Sequence, residues 1–186
     1  MKNFSLFRHG IKTLPAVRAD LGRVSSLSRR DFNDRESFVF QADAPSIEYA
    51  SLMIGNALLL RTKRSGRIYA GFEKFSLMQP VADLYLRIAD ISETVYVFGE
   101  DDWRPPRHPN IRYVPLLPGS NLSRETFVVS DCSTYYAALV AVDQQDDAER
   151  AKPEHRKFMA LKSSDPVIVR ALAVAVEGMI DWCYAA

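Results

Sequence analysis

Cysteine and histidine are scarce in this sequence: Cys132 and Cys183 are the only thiols, and three histidines complete the set among 186 residues. No CxxC pair and no Cys/His spacing of the kind zinc needs occurs. Long apolar runs are missing too. Ala171 to Val176 stops at Glu177, and Ala57 to Leu60 stops at Arg61. Both fall far short of the ~20 residues a bilayer span requires. The first ten residues carry no apolar signal core. Nor is there an excess of one charge, since 24 Lys and Arg stand against 23 Asp and Glu. A chain so balanced has no general attraction for nucleic acid or anionic lipid. These absences predict a cytoplasmic protein with reduced thiols, no membrane contact and no nucleic-acid partner.

Catalytic signatures are absent as well. The sequence contains no GxxxxGK[ST] phosphate loop, no GxGxxG after a strand, no GxSxG and no HExxH. His9, His108 and His155 lie far apart, without the neighbour that a general base needs. The expectation is a chain that is not an enzyme and holds no metal, and no cofactor can be assigned.

What is present is an ordinary globular composition, 47% hydrophobic and 25% charged. That suits one domain able to bury a core without staples. Residues 1–36 form a distinct, basic segment. Up to Phe40 it has eight Lys and Arg against four acids. Leu14, Val17, Leu21 and Val24 recur at helical spacing, and Thr13 with Pro15 suits a helix start. Such a narrow stripe predicts a helix that packs on a partner or on the domain edge. Arg18, Arg23, Arg29 and Arg30 would be its means of meeting DNA, but no helix-turn-helix pattern accompanies them.

The sequence from Ser37 on alternates strand and helix signals. Ser37 to Gln41 reads as a strand. Asp43 or Ser46 would cap a deeply buried helix from Ile47 to about Arg61, with Gly66 as its C-terminal glycine. Arg67 to Phe75 reads as a strand, in which Gly71 suggests a bulge or a close backbone approach. Ser76 would cap a helix with Val81, Leu84, Tyr85 and Ile88 on its inner face. Thr94 to Phe98 has the unbroken apolar pattern of a strand covered on both faces. Together these predict a parallel βαβ unit. After a proline-rich charged loop, Ile111–Leu116, Glu125–Ser130 and Tyr135–Val142 read as an antiparallel meander. A polar loop from Asp143 to Pro153 follows, then a strand at Lys157–Ser163. Last comes a helix opened by Asp165 and Pro166, with Val167 to Ile180 as its apolar set. The fold class is α+β (mixed α/β), a single mixed sheet of about five or six strands with helices packed on it.

Three places invite a functional reading. Glu73 and Lys74 end a strand, where ligands sit in open α/β sheets, although a local ion pair, or a Glu supporting the helix that begins near Ser76, is the favoured reading. Glu100, Asp101 and Asp102 precede Trp103. A solvated loop is expected rather than a cation site, with Trp103 folded back on the domain or exposed as a platform. If the two strands are parallel neighbours, Glu73, Lys74 and Trp103 converge on one rim, which is the candidate binding site for a ligand or partner. Cys132, beside Asp131, lacks the positive neighbour that activates a thiol.

Several of these runs resemble a known family. Ala44-Pro-Ser-Ile-Glu-Tyr-Ala-Ser-Leu-Met-Ile-Gly-Asn-Ala-Leu looks like the first helix of the DICT sensory domain. Arg67-Ile-Tyr-Ala-Gly-Phe-Glu-Lys and Val95-Tyr-Val-Phe-Gly-Glu resemble its central strands, and Ser133-Thr-Tyr-Tyr-Ala-Ala-Leu-Val-Ala its late strand. The resemblance implies a sensory domain over residues 37–183, in prokaryotic signalling, with a role in light response. The implied partners are a kinase, a cyclic-di-GMP enzyme or a transcription regulator. No catalytic or ligand residues transfer with it. A structural adaptor that senses nothing is the alternative. The stripe on residues 14–24 and the apolar final helix together predict a homodimer.

Overall fold

The computed structural model describes residues 2–14, 19–24, 28–61, 65–144 and 156–184. In chain order the elements are α1 (Leu6–Thr13), β1 (Ala19–Arg23), α2 (Arg29–Asp34), β2 (Ser37–Asp43), α3 (Ala44–Arg61) and β3 (Arg67–Lys74). A 3-10 turn (Phe75–Val81) leads into α4 (Ala82–Asp90), followed by β4 (Thr94–Glu100) and β5 (Ile111–Pro115). A short 3-10 turn (Leu122–Arg124) precedes β6 (Glu125–Cys132), β7 (Tyr135–Asp143), β8 (Lys157–Ser163), α5 (Pro166–Glu177) and α6 (Ile180–Tyr184).

The architecture is mixed, as expected, but the sheet is larger than five or six strands. It has eight, in the order β1-β2-β8-β7-β6-β3-β4-β5. Seven of them match strand signals in the sequence, and the eighth is β1, at residues 19–23 within the stretch predicted as a helix. Gly22 explains the failure. It takes φ +60°, a left-handed backbone that no α-helix contains, while the flanking residues pair in parallel with β2. Leu21 and Val24 pack on the core from this edge, Leu14 is buried just after α1, and Val17 lies outside the described residues.

The βαβ unit is present. β3 and β4 are parallel neighbours, with Ile68 opposite Val95 and Gly71 opposite Phe98. The predicted meander holds only in part. β6, β7 and β8 run antiparallel in sequence, but β5 leaves them to pair in parallel with β4 at the far edge. β6 then crosses back to the other side of β3, which it meets antiparallel. At Gly71 the expected bulge occurs, and what comes close is a side chain rather than another backbone. The β3 register slips between Gly71 and Lys74, and a Cβ there would lie 2.1 Å from the Phe127 ring.

Helices cover both faces of the sheet. On one face α3 and α4 pack over Phe38, Phe40, Ile68, Val97 and Leu139. On the other, α1 and α5 pack over Val39, Tyr69, Val129, Val140 and Leu161. Asp43 accepts from the Ser46 backbone N–H at 3.1 Å, so it is the cap of α3. Gly66 lies five residues past the end of α3 and is not its cap. Ser76 does not cap α4 either, since it sits inside the 3-10 turn. Asp165 caps α5 by accepting from Val167 N–H at 2.8 Å, and Pro166 opens the helix. That helix ends at Glu177, and a separate short α6 follows. The polar loop expected from Asp143 runs, beyond Gln144, outside the described residues.

Candidate functional site

All strands except β6 and β8 run in one direction, so one rim of the sheet collects the ends of β2, β3, β4, β5 and β7 and the starts of β6 and β8. The predicted trio lies on this rim. Lys74 is exposed and in register with Glu100 on β4. Trp103 is partly buried and packs against the α3/α4 side of the core. The loop that carries it is tied to the turn after β3. Asp102 accepts from the Ser76 N–H at 2.9 Å and from the Ser76 hydroxyl at 2.5 Å. Burial, which alone would raise the Asp102 pKa, is outweighed by these bonds and by Lys74, so the carboxyl sits below its ordinary range.

Glu73 turns elsewhere. Its carboxylate meets the Arg156 guanidinium at 2.9 Å. Arg156 also reaches Asp143 at 2.7 Å, where the carboxylate is fully buried, and lies over the Phe158 ring at 5.3 Å. One arginine thus bridges the ends of β3 and β7. Burial would lower the Arg156 pKa, but Asp143 and Glu73 together raise it, so the cation is held. The rim therefore brings Glu73, Lys74 and Trp103 to one end of the sheet. The ion pair of Glu73 is with Arg156, not with the adjacent lysine.

A further carboxylate stands on the same rim. Glu125, at the start of β6, is buried and accepts from the backbone N–H groups of Leu6 at 2.9 Å and Phe7 at 3.1 Å and from the Ser5 hydroxyl. It anchors the first turn of α1, a favourable place for negative charge. Burial nevertheless pushes its pKa up to about 7, with the Ser5, Phe7 and Leu6 bonds and Arg8 acting the other way. Cys132 is fully buried at the end of β6, and burial raises its pKa, with Asp131 adding to the rise. It has none of the features of an activated thiol. Among the described residues no group of three or more His, Cys, Asp or Glu side chains could hold a metal ion.

At the opposite end of the sheet lies a cavity of about 360 Å³, between α2 and the turn joining β6 to β7. Lys162 is in its wall and only 3% exposed. No motif marks Lys162, Asp143 or Glu125, yet the sequence carries one signal for all three. Each continues a strand's inward alternation: Phe158-Ala160-Lys162 in β8, Leu139-Ala141-Asp143 in β7, and Glu125-Phe127-Val129 in β6. A charge in phase with core positions is a buried charge.

A search of curated proteins finds no match to the chain. Among solved structures, a phospholipase D family member, Nuc from Salmonella typhimurium, is similar over 75% of this chain and 91% of its own, at 13% identity and a TM-score of 0.36. So low a score supports no conclusion about activity. A family model matches just under half of the chain, from the second half of α3 to the residue after β7, and supplies the contiguous strands β7-β6-β3-β4-β5. Over residues 55–144 the chain is similar to the DICT family model, described as a sensory domain in diguanylate cyclases and two-component systems.

Proposed function

We propose that this chain is a non-catalytic sensory module of prokaryotic signalling, which binds a small ligand or a protein and passes the state of its sheet to a partner. The match to a sensory family over residues 55–144 carries the reading. The partner would be a kinase, a cyclic-di-GMP enzyme or a transcription regulator. The rim with Glu73, Lys74 and Trp103 is the proposed contact surface. It combines a partly exposed aromatic plate with charge of both signs, and the Asp102–Ser76 bonds tie its two loops together. Light response and self-association extend the same reading. A homodimer through the final helices would use the outward Val167, Val174, Trp182 and Tyr184, because the inner face of α5 already covers its own sheet. The adaptor alternative relied on a docking helix through residues 14–24, where the chain forms β1 instead.

The test measures melting shifts with nucleotide, bilin and flavin panels and affinity for candidate signalling partners. Wild type is compared with Trp103→Ala and Glu73→Gln, and an absorbance spectrum of the purified chain is taken first. The reading expects binding that Trp103→Ala weakens by roughly tenfold, the loss of one good anchor. Reduced stability with unchanged binding would show that these residues serve the fold only.

A further inference from the structure

We propose that the cavity between α2 and the β6–β7 turn is a binding site for a small aromatic carboxylate, whose anion pairs with Lys162 Nζ and whose ring lies against Phe32 and Tyr135. The inference gives the sensory reading a ligand class and rests on that reading for its purpose.

The argument starts from a cation in the wrong place. Lys162 follows Phe158 and Ala160 on the inward side of β8, where burial leaves it 3% exposed. Its ammonium donates to the Arg35 carbonyl at 2.6 Å and to the Ser164 hydroxyl at 3.3 Å. It also lies over the rings of Phe32 at 5.2 Å and Phe38 at 5.7 Å. Two of its three N–H groups are thereby placed. Among the described residues no carboxylate comes within ion-pair distance of it. A buried charge without a counter-ion costs several kcal/mol, and a chain selected for stability alone would carry leucine or methionine here. Burial pushes the amine down to about 8, with Glu36 opposing, so it is still mainly a cation at neutral pH.

The cavity has the form that such a cation calls for. At about 360 Å³ it falls within the range of small-molecule sites. Phe32 and Tyr135 supply flat apolar walls, while Asn33, Thr134 and Ser164 supply polar groups. On the far side Tyr136 is held in place: Arg170 lies 5.1 Å from its ring centre and donates to its hydroxyl. A ring with one carboxylate satisfies the third N–H and the walls at once. An aliphatic acid would leave the walls unused, and a neutral amide would leave the cation unpaired.

Benzoate is the probe, with benzamide and acetate as controls, titrated calorimetrically into the full chain. Benzoate should bind with a Kd below about 1 mM, and benzamide and acetate at least about tenfold more weakly. Lys162→Met should abolish benzoate binding. Affinity in wild type should fall roughly tenfold or more between about pH 7 and about pH 10 as the amine deprotonates. Among the described residues, Glu36, Tyr135 and Tyr136 are the other titratable groups around the cavity. Ser164→Ala, which keeps the charge and should weaken binding severalfold, serves if Lys162→Met does not fold. Benzoate and benzamide binding alike, binding that survives in Lys162→Met, or no saturable benzoate binding would each overturn the site. Because the titration reads the cavity directly, such a failure would leave the rim and its partner assay untouched.

Discussion

Replacing Glu125 by glutamine should stabilise the protein at pH 8 and change little at pH 5. The carboxyl is buried beneath the first turn of α1, where two backbone N–H groups and the Ser5 hydroxyl donate to it. Burial is the larger influence, and it raises the pKa from its ordinary 4.5 to about 7. The unfolded chain releases this proton near 4.5, whereas the folded chain keeps it until about 7. Stability from this group is therefore fully present below 4.5 and is lost as pH rises through about 7. The displacement corresponds to about 3 kcal/mol once both states are ionised. Glutamine has the shape of the protonated acid. Its oxygen can accept from Leu6 and Phe7, its amide can donate to Ser5, and it does not titrate. Urea unfolding at half-unit steps from pH 5 to pH 8 should show the two proteins diverging, with a final gap of up to about 3 kcal/mol. For a chain of this length that is about 6–12 °C in Tm. If the variant is instead the less stable protein at pH 8, the folded chain favours the carboxylate over the acid, and its pKa is not raised. The donors at the head of α1 would then outweigh burial, and the reasoning would be wrong.

Two further outcomes follow from packing. Gly71→Ala should cost about 2 kcal/mol or more in urea unfolding, because its Cβ would meet the Phe127 ring at 2.1 Å and that ring is wedged against Phe98 at 5.7 Å. A neutral effect would mean that the bulge moves freely. Cys132 should resist thiol reagents at pH 8 until the chain unfolds, since it is fully buried and its pKa is raised. Its stoichiometric labelling within minutes in the native protein would contradict that environment.

The elements whose signals are local were legible in the sequence. Asp165-Pro166 marks the start of α5, the unbroken apolar run marks β4, and the Lys157–Ser163 strand has the bounds expected. What failed depended on distant partners. The spacing of Leu14, Val17, Leu21 and Val24 is helical on paper, but the edge of β2 offers unpaired backbone groups, and Gly22 lets residues 19–23 take them. The departure of β5 from the meander is likewise decided by where β4 leaves an open edge. At the rim, the adjacency of β3 and β4 was correctly expected. The destination of the Glu73 side chain was not, because Arg156 stands 83 positions away in the chain. Lys162 is legible only from its phase in β8, because a single charge on a core face belongs to no motif.

The pairing of β2 with β8 sets a timetable for synthesis. Phe40 lies opposite Ala160, so 120 further residues must leave the ribosome before β2 gains its inner neighbour. At ordinary translation speed this is on the order of 10 s, during which Phe38 and Phe40 have no sheet to join. The strands from β3 to β7 emerge next and are contiguous in the sheet, so they can assemble while β2 waits. A transcript cut short before Lys157 would yield that five-stranded block with a naked β7 edge and a loose, aromatic N-terminal arm, a product for the cell's proteases rather than its signalling circuits.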